Sequence, residues 1–575
     1  MNLIEDRWIP VGRRSGKVEH IAPSQLTDGF ADDPFIRLAL PRPDFNGALI
    51  QFLVGLLQTH YAPKSPREWR QRLRQPPPPE ELENALSSIA EGFHLDGHGP
   101  RFLQDLTLEQ EISKLKPGER AKRLSGISGL LITSPTGKTL EDNTDHFVKR
   151  GGIHALCPAC AGAALFTMQT NAPAGGQGHR TGIRGGGPLT TLVLGGTLWA
   201  TCWLNVLERE DFVSHVNGNP AKDGLSDRFP WLGPTRTSER RGQNTKKQTR
   251  SNTENDGGLR TTPDDAHSDQ IFWAMPRRIR LLFERGVTIC DLCGNTTDTP
   301  VRQFLTKNLG VNYTGAWKHP LSPYRIDANG NPIPLHPQPG GIGYRDWLGL
   351  VQSSDGSKGR REPARVVGRY LREGGEDLRL WAFGYDIVGG QDKARCWYDG
   401  TMPLVLIRKD LFDAFAYAVS CVVNAAQYSA GTLVLAVVRA NYFKVTLSRA
   451  GVPGWEVPKR FKAFKNKDES ETDDVASKQQ KALIESSRSR VWSTTEPSFF
   501  ETLFKLRDVL NAGEDPMPLL EMWQYRLIQS VERIFDDVSE SDAFDAADPK
   551  RIALAWRDLQ RALRGKKMRE ILGLT

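Results

Sequence analysis

The sequence predicts an α+β fold: a large mixed N-terminal domain with long loops and a structural zinc site, followed by a C-terminal helical bundle of four helices. Three observations lead there. The length of 575 residues exceeds the roughly 250–300 residues at which a single hydrophobic core stops growing, so two or more domains are required. Between about residues 100 and 400 short β-branched runs alternate with glycines and prolines, the pattern of a mixed body with long loops. After about residue 403 apolar residues recur at helical spacing, and successive amphipathic helices bury their stripes in a bundle. The expected domains are therefore 1–402 and 403–575.

Taken in order, the first element is a hairpin over residues 3–24. Trp8, Ile9 and Val11 alternate on one side of the turn "RRSGK", and Val18 and Ile21 on the other. A helix should follow Asp44, where "DFNGALIQFLVGLLQTHY" sets Leu49, Phe52, Leu53 and Leu56 on one face. The run "RQPPPPEEL" is a stiff connection into another helix. Residues 235–262 hold almost no apolar side chains and are expected as a flexible insert. The bundle helices are expected over 409–443, 499–512, 519–538 and 551–568, with a helix or coil between 468 and 490.

Composition narrows the class. With 38% hydrophobic and 25% charged residues the chain reads as a soluble globular protein, and a net charge of +8 favours an anionic partner. Glu5, Asp6 and Arg7 occupy the place where a secretory signal needs an apolar core. The most apolar segment, 411–438, is interrupted by Asp413, Asn424 and Gln427 and is read as buried helix, with no membrane partner. Seven cysteines, an odd number, argue against a disulfide scaffold and for a cytoplasmic location.

Four of those cysteines form two matching pairs. Cys157 and Cys160 lie in "ALCPACAG", and Cys290 and Cys293 in "TICDLCGN". Two CxxC knuckles supply the tetrathiolate set that zinc prefers, and with no open coordination position the Zn2+ would be structural. The 129 residues between Cys160 and Cys290 make this a clamp between distant segments rather than a compact finger. The alternative is that each pair consists of small buried side chains.

The stretch "NAPAGGQGHRTGIRGGGPLTT" at 171–191 holds seven glycines, two arginines, a histidine and no acid. Bare, freely bending backbone can lie against another polymer, and arginines add charge. The lysine and hydroxyl of a nucleotide-binding loop are missing from it. A nucleic-acid backbone remains, beside the plainer reading of a solvent-facing loop.

The opening "NLIEDRWIPV", the block from "DHFVKRGGIHALCPAC" through "GGGPLTTLV" at 145–193, "CDLCG", "WKHPLSPY" at 317–324 and "FGYDIVGGQDKARCW" at 383–397 together resemble the large subunit of type I-E CRISPR Cascade, the CasA family. The resemblance implies a non-enzymatic subunit that recognises a short protospacer-adjacent motif in double-stranded target DNA from the minor groove. It also implies wedging of the duplex so that CRISPR RNA can pair with one strand, and a landing surface for an effector helicase-nuclease or another nuclease subunit. The partners are then target DNA, CRISPR RNA and the other Cascade subunits, with RNA pairing reading the long sequence and protein the short motif.

Carried over by residue, the glycine-rich loop maps onto Ala174, Gly175, Gly176, Gln177 and Gly178, slim enough for the narrow minor groove. His179, Arg180 and Arg184 join it on chemical grounds, although Arg184 can equally brace the loop from inside. Gly389, Gly390 and Gln391 form the tip of a hairpin bounded by Tyr385 and Trp397, with Gln391 as the wedge. Lys307 and Asn308 both stand near the position from which the family reads a base edge. Phe147 and Lys149 lie in the "HFVKR" loop that contacts the guide-bearing end and DNA. Two other readings stay open: a metal-dependent nuclease and an RNA-binding scaffold. Against the first, no HExxH motif occurs and the glycine-rich loop itself holds no acid.

Overall fold

The computed structural model describes residues 1–134, 152–175, 178–239, 259–355, 359–387, 394–441, 474–541, 544 and 547–574. The chain divides into two compact units. The first comprises Met1–Gly341, Asp355–Tyr370 and Arg379–Thr401, the second Ile342–Ser354, Leu371–Leu378 and Met402–Thr575.

In the first unit β1 (Ile9–Arg13) and β2 (Val18–Ile21) form the expected hairpin, and β3 (Phe35–Leu38) pairs on the other edge of β1. Helix α1 (Pro43–His60) starts at a proline that pre-sets the first turn and carries Asp44 close to the helix N-terminus. Its apolar residues are not confined to one face, and the helix is buried on nearly all sides. Phe52 shows why: Trp8, Phe93, Phe102, Phe166 and Trp273 all meet its ring edge-on, at centroid distances of 5.6–6.2 Å. Such pairs add about 0.5–1.5 kcal/mol each beyond their buried area, so this ring cluster is the centre of the unit. The helix at Pro66–Arg74 is an addition to the expected elements, and Ser65 caps it by accepting from the Glu68 N–H. Its start carries the Ser-Pro-x-Glu signature of a capped helix.

Three small sheets position the site. Strands β4 (Leu124–Gly126), β9 (Val301–Lys307) and β6 (Arg278–Phe283) stand in the order β4-β9-β6. Strands β7 (Thr288–Ile289) and β8 (Thr296–Thr297) form a two-residue ribbon. Strands β13 (Leu378–Ile387) and β14 (Ala394–Leu404) stand beside β5 (Thr190–Leu194) in the order β14-β13-β5. A further sheet runs β11-β10-β12, from Pro332–Pro334, Tyr324–Ile326 and Arg360–Glu362. Helix α2 (Pro158–Asn171) leads from the first cysteine pair into the glycine-rich loop.

The second unit is helical. Its core is α3 (Phe412–Asn441), whose most apolar window is 89% buried. Helices α4 (Asp474–Ala512), α5 (Met517–Ser539) and α6 (Pro549–Leu563) pack around it, and the short α7 (Lys566–Leu572) follows. The fully buried Trp523 donates its indole N–H to the Val422 carbonyl at 3.0 Å. Two boundaries differ from expectation. Helix α4 runs through Pro497, because Val491, Phe499, Leu503 and Leu506 are all buried on either side of it and packing outweighs the lost hydrogen bond. The run expected over 551–568 breaks at Gly565, which caps α7. Tyr344 joins this unit by stacking on Phe499 at 4.3 Å and bonding Thr495 at 2.6 Å.

Candidate nucleic-acid interface and metal centre

The four paired cysteines converge. Their sulfurs lie within 4.8 Å of one another, and Cys157 and Cys293 are 3.7 Å apart. A zinc–sulfur bond of about 2.3 Å sets tetrahedral sulfurs about 3.8 Å apart, so the set fits that ion. Cys157 caps α2, its sulfur accepting from the Cys160 N–H. Gly294, at φ +76°, turns the second knuckle so that its N–H bonds the Cys290 carbonyl at 2.9 Å. Asp291 zips the knuckles together by accepting from the His154 and Ala155 N–H groups at 2.6 and 2.8 Å. Hydrogen bonds with Cys157 and Cys290, with burial added, push the Cys160 thiol above its ordinary value. Thiols this crowded do not ionise together unless a cation compensates them, which is the chemistry a divalent metal supplies.

From α2 the chain enters the glycine-rich loop. Its first stem is fixed by the Arg277 guanidinium, which donates to the Pro173 carbonyl. Its far stem is fixed by the Leu309 N–H, which donates to the Gly178 carbonyl at 2.7 Å. Gly178 has φ +78°, and a Cβ there would fall 2.9 Å from Leu309 and 3.2 Å from the Asn308 Cβ. The loop therefore rests on the chain just past β9. Ala174 and Gly175 are half-buried, while His179 and Asn308 are exposed. Arg180 donates from Nε to the Ser238 hydroxyl at 2.8 Å.

The loop then runs into the hairpin stem. Gly187 has φ +59°, and a Cβ there would fall 2.6 Å from the Tyr385 Cβ and 2.9 Å from Ile387. Beyond it β5 pairs with β13, Thr190 facing Phe383. The hairpin is braced near the inner ends of its strands, at Tyr385 and Trp397. Tyr385 donates from its hydroxyl to the Asp44 carboxylate at 2.5 Å, and Trp397 lies where a Cβ on Gly47 of α1 would collide at 2.6 Å. Trp397 also meets Tyr385 edge-on at 4.9 Å. The stems of the two features thus adjoin on one scaffold. The tip residues Gly389, Gly390 and Gln391 lie outside the described residues, as do Gly176, Gln177, Phe147 and Lys149 and most of the 235–262 insert.

A family model for the CRISPR-associated protein Cse1 matches residues 2–534. The chain belongs to the Cse1 family. Among solved structures, CasA of Thermus thermophilus is similar at 18% identity and a TM-score of 0.63, over 98% of this chain and 99% of that one. Cse1 of Acidimicrobium ferrooxidans is similar at 16% identity and a TM-score of 0.63, over 100% and 98%. A chain of a CRISPR RNA-guided surveillance complex is similar at 15% identity and a TM-score of 0.60, over 98% and 99%.

Within this Cse1 fold two expected contacts change meaning. Arg184 is only 2% exposed, and its guanidinium donates to Gln51 at 2.5 Å, Ser322 at 2.8 Å and Thr190 at 3.0 Å. It braces the loop from inside rather than contacting DNA, since a desolvated side chain with three partners cannot reach a ligand. Burial lowers its guanidinium to about 10. Lys307 is bound by Glu111 at 3.0 Å and Glu239 at 2.7 Å. Glu111 also binds the buried Arg278. Burial opposes its ionisation, but the hydrogen bonds from Arg278 and Lys307 hold it down to about 2. Lys307 therefore faces acids, and Asn308 lies against the loop. Sequence reasoning missed Asp291, Arg277 and the bond from Tyr385 to Asp44, because the partners are too distant in the chain to leave a local signal.

Proposed function

We propose that this Cse1-family chain is the large subunit of a type I-E CRISPR RNA-guided surveillance complex, acting in the cytoplasm with CRISPR RNA, the other Cascade subunits and a recruited helicase-nuclease. It inspects the short motif in duplex DNA from the minor groove, opens the duplex beside it, and itself performs no covalent chemistry. The observation that supports this most is the shared scaffold of loop and hairpin, the two stems meeting at Gly187 and Tyr385, in a chain matched to Cse1 over residues 2–534.

The division of labour follows from the residues. Ala174 and Gly175 with Gly178 offer backbone without bulk to a groove about 6 Å wide. Asn308, exposed beside them, carries an amide that can donate to the purine N3 and pyrimidine O2 acceptors of that groove or accept from the guanine amino group. Arg180 adds charge toward phosphates, and His179 a ring that can donate a hydrogen bond. Gln391 is the wedge, carried on a hairpin stiffened by Tyr385 and Trp397, because unstacking a base step takes a few kcal/mol. Cys157, Cys160, Cys290 and Cys293 would hold a zinc ion whose role is structural.

Duplex binding should fall steeply with salt. Releasing the counterions of only two phosphates lowers affinity about tenfold between roughly 50 and 200 mM salt. Fluorescence anisotropy of the assembled complex on a short duplex checks this, and an affinity unchanged over that range would contradict the reading.

A further inference from the structure

We propose that Arg277 is a positioning residue which, together with the Leu309 N–H, clamps the two ends of the glycine-rich loop at Pro173 and Gly178 and so presents it for duplex contact. This rests on the proposed reading of the loop.

Both anchors belong to one rigid support. Arg277 immediately precedes β6 and Leu309 follows β9, and these strands pair with Arg278 opposite Lys307. The connection is close: a Cβ on Gly310 would fall 2.0 Å from the Pro276 carbonyl, so the strand ends interlock. The backbone of Arg277 is held in turn by the buried Gln169, whose amide donates to the Arg277 carbonyl at 2.9 Å and accepts from its N–H at 2.9 Å. That side chain sits on α2, the helix that feeds the loop. The amide of Ser238 donates to the Leu309 carbonyl at 3.0 Å. Leu309 itself is left-handed at φ +65°, a conformation that a branched side chain keeps only when its surroundings impose it.

The guanidinium of Arg277 has no carboxylate partner among the described ion pairs, and its Nε is buried without a hydrogen bond. The bond it does make goes to the Pro173 carbonyl. A half-buried cation kept for packing alone would cost more than an apolar side chain of the same shape, so the bond to the loop is the function that explains it. Burial lowers this guanidinium to about 10, still charged at neutral pH, which leaves a positive charge without a carboxylate partner among the described residues at the Pro173 end of the loop.

The test compares full-length wild-type protein with Arg277→Met and Arg277→Lys. Methionine keeps the apolar stem and removes the donor and charge, and lysine restores both in part. Hydrogen exchange of the Gly182 and Leu309 amides, which donate to the Ala172 and Gly178 carbonyls at the two ends of the loop, should speed up about tenfold in Arg277→Met and recover in Arg277→Lys, while the β6 and β9 amides keep their protection. In the assembled complex, discrimination between a duplex with the motif and one with it permuted should fall about tenfold for methionine and be partly rescued by lysine. Unchanged loop exchange in Arg277→Met overturns the clamp. Faster loop exchange with undiminished duplex binding and discrimination keeps the clamp and overturns the DNA role of the loop.

Discussion

Replacing Cys290 by serine is expected to release zinc from the protein and to destabilise the first unit by about 4 kcal/mol or more. The magnitude follows from what the tetrad joins. Cys157 and Cys160 sit at the start of α2, whereas Cys290 and Cys293 sit on the β7–β8 ribbon, more than a hundred residues later in the chain. A metal bound by both closes that long loop, and little of such a site exists in the unfolded chain, so its binding energy becomes folding energy. Serine at a 1%-exposed position also leaves a hydroxyl among the remaining sulfurs. Elemental analysis should find about one zinc per wild-type chain and far less in the variant, with a matching fall in the urea midpoint. A variant that keeps wild-type stability would show the four sulfurs to be packing only.

The second large effect is expected from Gly187→Val, a loss of about 3 kcal/mol or more. A β-branched residue at φ +59° is a backbone outlier, costing roughly 1–3 kcal/mol. Its Cβ would also meet the Tyr385 backbone oxygen at 2.8 Å, and that oxygen belongs to β13 and cannot rotate away. Relief requires the loop stem to part from the hairpin. Thermal unfolding should record the loss, and duplex opening should suffer beyond it, because the two features then no longer share a support. Alanine at the same position, lacking the branch, should cost less while showing the same sign.

The parts of this molecule that are legible in the sequence are those whose signal is local. The CxxC spacing, the first hairpin around "RRSGK" and the helix after Asp44 all depend on neighbours a few residues away, and each stands where the sequence puts it. Arg184 is legible as a basic residue in a glycine-rich loop, but its inward direction depends on Gln51 and Ser322, which are 133 and 138 residues distant in the chain. Lys307, placed near a base edge by the resemblance, is instead held by Glu111 and Glu239 on other segments. Pro497 misleads in the opposite way: a strong local breaker is overridden by burial of Val491 and Phe499 on its two sides. In each of these cases a long-range partner decides the outcome, and single-sequence periodicity carries no record of it.

Strand opening beside the motif tests the central claim most directly. A fluorescent base analogue placed next to the motif in a duplex brightens as it unstacks, and the assembled complex should produce that rise with the wild-type chain. The account predicts that Gln391→Ala slows the rise about tenfold or more while initial duplex affinity changes less than about threefold. Equal losses of binding and opening, or no loss of opening at all, would contradict a wedge on this hairpin.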